Sequence, residues 1–256
     1  MMTQTNEYPT KAYGATSPTS GVGPMEITRR GLRDDDVLIE ISHCGICHSD
    51  LHTARNDWGR TTYPIVPGHE IVGTVTAVGD KVTRHNVGDR VAIGCMVDSC
   101  LECDHCEADL EQYCKEGMVG TYNGTDRRDG TPTHGGYSER IVCREEFVLK
   151  VPDGMPMAAA APLLCAGITS YSPLRTWKIG PGSKVAVAGL GGLGHMGVKL
   201  AAAMGAEVTV LSRSESKRGD AEALGAHAFL NTTDREATKA ARGTFDMVLN
   251  TIPVRH

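Results

Sequence analysis

The sequence predicts an α/β plus β architecture in two parts, on three observations. Short β-branched runs punctuated by Gly, Asp and Pro fill the chain from about Val37 to Val151. After Pro152, strand and helix signals alternate in units of roughly 10–15 residues, the pattern of a parallel sheet. A glycine cluster, Gly189 to Gly194, stands at the first strand-to-helix join of that second part. The 256 residues are long enough for two domains. They divide into a barrel-like β domain over 1–160 and an α/β domain over 161–256.

In the first part the candidate strands are Val37–Ile41, Ile71–Val78 before a Gly79-Asp80 turn, and Val87–Ile93. In the second, Lys184–Ala188 is a buried-strand run. Leu193, Met196, Leu200, Ala201 and Met204 then recur at helical spacing up to Gly205. Glu207–Leu211 is the next strand, Ser216–Leu224 a helix, Ala226–Leu230 a third strand and Phe245–Asn250 a fourth.

Apolar residues make up 40% of the chain, which argues against disorder. Lys plus Arg number 26 against 31 Asp plus Glu, a net charge of −5, so no basic face for a nucleic acid is indicated. Met1–Pro9 is polar and lacks the apolar core of a secretory signal. The most apolar stretches, Met155–Ile168 and Val185–Leu211, are interrupted by Pro, Gly, His or Lys, so no membrane span is expected. The expected location is cytoplasmic. There, nine cysteines point to metal or chemistry rather than to a disulfide frame.

Gly189-Leu190-Gly191-Gly192-Leu193-Gly194 matches G-x-G-x-x-G after a strand and before a helix. Glycines there let the backbone approach a pyrophosphate, and the helix N-terminus offers free N–H groups. An NAD site wants an acid about 20 residues on, to hold the ribose 2′-hydroxyl. This chain has Leu211-Ser212-Arg213-Ser214, with Lys217 one turn later. Hydroxyls and cations suit a 2′-phosphate, so the expected cofactor is NADP(H).

Cys100, Cys103, Cys106 and Cys114 form C-x2-C-x2-C-x7-C within a lobe at about 95–115. Four thiolates close a tetrahedral shell around a structural zinc and leave no open position. An iron–sulfur cluster is the alternative, although the final gap is longer than in ferredoxin runs and Lys115, not Pro, follows. Spacing does not unite the remaining candidates: Cys47 in GICHSDL, His69 in PGHEIV and Cys165 in LLCAG.

These motifs, with the four-cysteine lobe, HGGYSE at His134–Glu139 and the glycine cluster, run in order along nearly the whole chain. Together they resemble the zinc-dependent, medium-chain alcohol dehydrogenases, in the cinnamyl-alcohol-dehydrogenase-like, NADP-dependent branch. The resemblance implies a GroES-like catalytic domain with two zinc sites, followed by an incomplete Rossmann, doubly wound parallel sheet. Two cysteines and a histidine are the catalytic set established for alcohol dehydrogenases. The resemblance therefore assigns Cys47, His69 and Cys165, with Glu70 beside them, to catalytic zinc.

Asp50 matches the carboxylate that orients the ligand His, Ser49 the hydroxyl on the substrate oxygen, and His52 the outer proton carrier. Thr169, Thr251 and Ile252 join the cofactor contacts. Cys44, Cys95 and Cys143 are left as packing residues. His43, His48, His105 and His195 stay outside the ligand sets, with an approach to the cofactor pyrophosphate as the alternative role of His48. Trp58 reads equally as a pocket wall or a packing residue.

The implied reaction is hydride transfer between NADP(H) and a primary alcohol or aldehyde, aromatic or aliphatic. Reduction of the aldehyde is the expected direction, and relatives of full length form homodimers. The chain ends at Asn250–His256, directly after the fourth strand, where a six-stranded dinucleotide fold needs two more. It therefore reads as a C-terminally truncated member. An inactive zinc-binding fragment and an NAD-linked polyol dehydrogenase are the alternatives, and Ser212 in place of an acid argues against the latter. Arg213→Ala is expected to weaken NADPH binding far more than NADH binding in a fluorescence titration. Equal losses for both cofactors would contradict the 2′-phosphate reading.

Overall fold

The computed structural model describes residues 7–252. The polar start expected at Met1–Asn6 and the Pro253–His256 end lie outside the described residues. The chain divides into two compact units between Cys165 and Ala166.

The first unit opens with an antiparallel hairpin, β1 (Tyr8–Gly14) and β2 (Gly23–Arg29), which the residue pattern did not signal. β3 (Asp36–Cys44), helix α1 (His48–Ala54), β4 (Ile71–Val78) and β5 (Arg90–Ile93) follow. Then come β6 (Met96–Asp98), the short helix α2 (Asp104–Glu107), β7 (Val119–Gly120), β8 (Arg140–Arg144), β9 (Leu149–Lys150) and helix α3 (Met157–Ala160).

Five of these strands form an antiparallel sheet in the order β8-β3-β4-β5-β9, and β6 pairs with β7. Its core gathers Val37, Ile39, Ile71, Val75, Val91, Ile93, Ile141 and Cys143. The strand expected from Val87 starts only at Arg90. Asn86–Asp89 turns instead: the Asn86 N–H donates to the Asp89 carboxylate at 3.0 Å, and Gly88 sits at φ +94°. That conformation favours glycine and cannot continue a strand.

The second unit comprises helix α4 (Ala166–Thr176), β10 (Lys184–Ala188), α5 (Gly192–Ala203), β11 (Glu207–Ser212), α6 (Arg218–Ala223), β12 (Ala228–Asn231), α7 (Arg235–Ala240) and β13 (Met247–Asn250). The four strands are parallel in the order β12-β11-β10-β13. Parallel neighbours need crossover connections, which the intervening helices supply. β10 is central, and Val185, Ala186 and Val187 are fully buried.

The apolar stripe of α5, with Val198 and Ala201, packs into the same core as Val208 and Val210. The helix expected over Ser216–Leu224 is split. A 3-10 turn covers Glu215–Lys217 and α-helix begins at Arg218. α4 was not anticipated, since Pro173 lies inside it. Among the described residues no single helix is long and apolar enough to cross a membrane.

Ile39 is 1% exposed at the centre of the first core. Ile39→Ala is therefore expected to cost about 2–5 kcal/mol. The measurement is a fall in the urea midpoint at unchanged slope.

Candidate active site

The four-cysteine lobe is built by local chain turns. α2 starts directly after Cys103 and carries Cys106, while a 3-10 turn at Glu111–Tyr113 delivers Cys114. The four sulfurs lie within 4.8 Å of one another. Cys100 and Cys106 are 3.8 Å apart, and Cys103 and Cys106 3.5 Å. Sulfurs about 2.3 Å from a tetrahedral zinc stand about 3.8 Å apart, so the residues fit that ion. Backbone N–H groups support thiolates: Cys100 donates to the Cys114 sulfur at 3.4 Å and Lys115 to the Cys103 sulfur at 3.5 Å. The Lys115 amide, with help from Cys106, brings the Cys103 thiol down to about 6.

A second cluster assembles from distant chain segments. Cys47 precedes α1, His69 and Glu70 precede β4, and Cys165 closes the first unit. Their ligand atoms lie within 4.8 Å of one another, with the two sulfurs 3.8 Å apart. His69 and Glu70 are buried. Hydrogen bonding to Cys165 and burial push the Cys47 thiol up to about 11, and burial pushes Glu70 up to about 7. Burial opposes charge on His69, but bonds to Asp50, Cys165 and Cys47 outweigh it and raise its pKa. Thiols and an imidazole crowded this closely share protons that a divalent cation would replace.

Asp50, 2% exposed, organises this cluster. One carboxylate oxygen accepts from the Gly68 N–H at 2.9 Å and from His69 Nδ1 at 3.1 Å. The other accepts from the Cys47 N–H and from the Tyr137 hydroxyl, both at 2.9 Å. His69 thereby keeps its proton on Nδ1 and presents Nε2 to the sulfurs. Ser49, partly buried on the first turn of α1, stands beside Cys47 and works against the rise of its thiol pKa. His52 lies on the last turn of α1 and pairs through Nδ1 with Asp57 at 2.8 Å.

In the second unit Gly189 takes φ +88°, open to glycine and strained for other residues. A Cβ at Gly194 would collide with the Gly189 carbonyl oxygen, whereas Cβ atoms at Gly191 and Gly192 would meet nothing within 4 Å. No side chain caps α5. Open space over bare helix N–H groups fits a dinucleotide pyrophosphate. Ser212 ends β11, and Arg213 and Ser214 are exposed beyond it. Lys217 donates to the Leu190 carbonyl at 3.1 Å, which ties the residues after β11 to the glycine turn. The Thr251 hydroxyl donates to the Ala188 carbonyl at 2.8 Å, bracing that turn from behind, with Ile252 beside Gly189. Thr169 is exposed on α4, whose Ser170 reaches the Leu193 carbonyl at 3.2 Å.

Residues 33–153 match the family model for the alcohol dehydrogenase GroES-like domain, and residues 192–256 that for zinc-binding dehydrogenase. An NADP-dependent alcohol dehydrogenase C 1 of Mycolicibacterium smegmatis is 60% identical over 242 residues, 94% of this chain and 69% of that protein. The chain belongs to the zinc-dependent alcohol dehydrogenase family. Among solved structures it is similar to a cinnamyl alcohol dehydrogenase, SbCAD4, from Sorghum bicolor. The TM-score is 0.93 at 44% identity, covering 97% of this chain and 71% of that one. The cinnamyl alcohol dehydrogenase of Helicobacter pylori complexed with NADP(H) aligns with TM-score 0.91 at 42% identity, covering 98% and 71%. The GroES-like and Rossmann-type units are thus those of a medium-chain dehydrogenase.

Not every expected family role matches the geometry. Cys143 is buried in the core and Cys44 half-buried, but Cys95 is exposed and does not pack. Its sulfur donates to the Leu164 carbonyl at 3.8 Å, next to Cys165, whose hydrogen bond lowers the Cys95 pKa. His48 is exposed, with its ring 4.9 Å from that of His52. Trp58, 49% exposed, has its ring 5.2 Å from that of His52, so it lies against an imidazole rather than filling a core.

Sequence reasoning missed Asp57, Tyr137 and Arg29. Only Tyr137 carried any signal, through the HGGYSE motif. Arg29 is buried and, among the described residues, has no carboxylate partner. It donates to the carbonyls of Arg140, His134 and Gly135 and to the Ser138 hydroxyl, clamping the segment that carries Tyr137. Burial and the nearby Arg29 guanidinium hold the His134 imidazole down to about 4. Its folded pKa lies below the unfolded value of about 6.5. The stability it contributes is therefore full above pH 6.5 and is lost as pH falls towards 4. His134→Gln is expected to flatten the decline of the urea midpoint between pH 6.5 and 4.5. A decline parallel to that of the unaltered chain would exclude His134 as its source.

Proposed function

We propose that this chain is an NADP-dependent alcohol dehydrogenase working as an aldehyde reductase on small primary alcohols and aldehydes. Cys47, His69 and Cys165 hold the catalytic zinc, with Glu70 beside it, and Cys100, Cys103, Cys106 and Cys114 the structural zinc. The convergence of Cys47, His69, Glu70 and Cys165 within 4.8 Å, from three segments up to 118 residues apart, carries this reading. When bound, zinc supplies Lewis-acid polarisation of the substrate oxygen, and NADP(H) supplies or accepts the hydride.

The chain's own residues provide the rest. Two thiolates and one imidazole leave a fourth metal position free for substrate. Asp50 holds His69 in the tautomer that ligation requires. The Ser49 hydroxyl hydrogen-bonds the substrate oxygen and hands its proton to His52, or returns it in reduction. Asp57 fixes the His52 ring through Nδ1, leaving Nε2 to exchange that proton.

The α5 N-terminus and the open faces of Gly191 and Gly192 receive the pyrophosphate. Ser212, Arg213, Ser214 and Lys217 meet the 2′-phosphate, and Thr169, Thr251 and Ile252 complete the cofactor contacts. The zinc chemistry falls to residues 1–160 together with Cys165, and the nucleotide to the rest of 161–256. Nine unpaired thiols suit a reducing compartment, which supports a cytoplasmic location. A homodimer belongs to the same proposal.

The direct test is metal analysis with NADPH oxidation in the presence of an aromatic aldehyde, expecting two zinc ions per chain and turnover. In Cys47→Ser, turnover is expected to vanish while NADPH binding persists. Full turnover in that variant, with two zinc ions still present, would refute the ligand assignment.

A further inference from the structure

We propose that Tyr137 is a positioning residue of the catalytic zinc site, acting on the metal through Asp50 and His69. This rests on the ligand set proposed above. The backbone of Gly135–Tyr137 is zipped to the strand entry that carries His69. Gly135 N–H donates to the Val66 carbonyl at 2.7 Å, Gly136 to Gly68 at 2.9 Å and Tyr137 to Pro67 at 3.0 Å. Gly68, at φ +103°, makes room for the Tyr137 ring, since a Cβ there would clash with it. On the other side Tyr137 accepts the Tyr13 N–H at 2.7 Å, and Arg29 grips the carbonyls of His134 and Gly135. The ring is thus placed by backbone contacts, and its hydroxyl is directed at one carboxylate oxygen of Asp50.

A carboxylate has about four lone-pair positions. Asp50 fills them with Gly68, His69, Cys47 and Tyr137, two donors per oxygen. Remove the tyrosine hydroxyl and the oxygen that anchors the start of α1 keeps a single partner. With three of its four donors left, the carboxylate is held less firmly about its Cβ–Cγ bond, and the other oxygen faces His69 Nδ1 less squarely. Both the imidazole direction and the Cys47 backbone depend on that orientation, so the ligand geometry loosens at two of three donors. Outer partners of this kind are worth about 10–100-fold in metal affinity.

Tyr137→Phe keeps the ring and deletes only the hydroxyl. In competition with a colorimetric chelator, the full chain is expected to bind one zinc as tightly as before, at the four-cysteine lobe. The second zinc should bind at least about tenfold more weakly. With cobalt(II) in the second site, the thiolate-to-metal and d–d bands should shift in the variant.

Asp50→Asn and the double variant separate positioning from general loosening. If Tyr137 acts through Asp50, adding Tyr137→Phe to Asp50→Asn should change affinity by less than about twofold. Affinity of Tyr137→Phe within about twofold of the unaltered chain, or weakening that simply multiplies on Asp50→Asn, overturns the proposal. An unaltered chain that takes up one zinc only overturns the site reading itself. The two failures are thereby distinguishable.

Discussion

The buried carboxylate of Asp50 is the constraint on which the catalytic half of the molecule depends. An ionised group 2% exposed is tolerable only when hydrogen bonds replace the water it has lost. Here the replacements come from three separated stretches: the start of α1, the loop ahead of β4, and the segment ahead of β8. Because each donor is needed, the carboxylate pins all three stretches together. The imidazole orientation and the Cys47 backbone position follow from the same bonds. Structural satisfaction and metal-site geometry are one requirement at this point.

In the second unit the equivalent constraint is close approach of backbone to backbone. Gly194 lies against the Gly189 carbonyl, and the turn is braced by Thr251 just after β13 and by Lys217 beyond β11. Glycine is required on the side where the chain touches itself, and on the outer side it leaves room for a ligand. The motif thus encodes two different needs in one short run. Lys217 illustrates a further economy, since one ammonium ties the turn and still keeps two N–H donors for an anion.

Legibility in the sequence followed contact distance along the chain. The four-cysteine lobe closes within fifteen residues, so its spacing alone announced a metal shell. The strand and helix pattern after Pro152 was legible for the same reason, down to Lys184–Ala188 and the stop of α5 just ahead of Gly205. Local signals failed where turns competed with strand propensity, as at Asn86–Asp89, and where Pro173 concealed α4. The role given to Cys95 failed differently: exposure and proximity to Cys165 are set by partners about 70 residues away.

Residue pattern alone was enough for the two-part α/β plus β architecture, a four-cysteine cluster of metal-binding spacing, the glycine turn and the polar, cationic stretch after β11. All of these are properties of short segments, set by backbone periodicity, glycine conformational freedom and residue chemistry at close spacing. Only the tertiary structure brought Cys47, His69, Glu70 and Cys165 to one point, aimed His69 through Asp50, and placed Tyr137, Arg29 and Asp57 behind the reacting groups. Those contacts join residues whose separation along the chain carries no periodic signal. Sheet pairing and burial decide them, because a buried charge or a bare donor must find its partner wherever the fold delivers one.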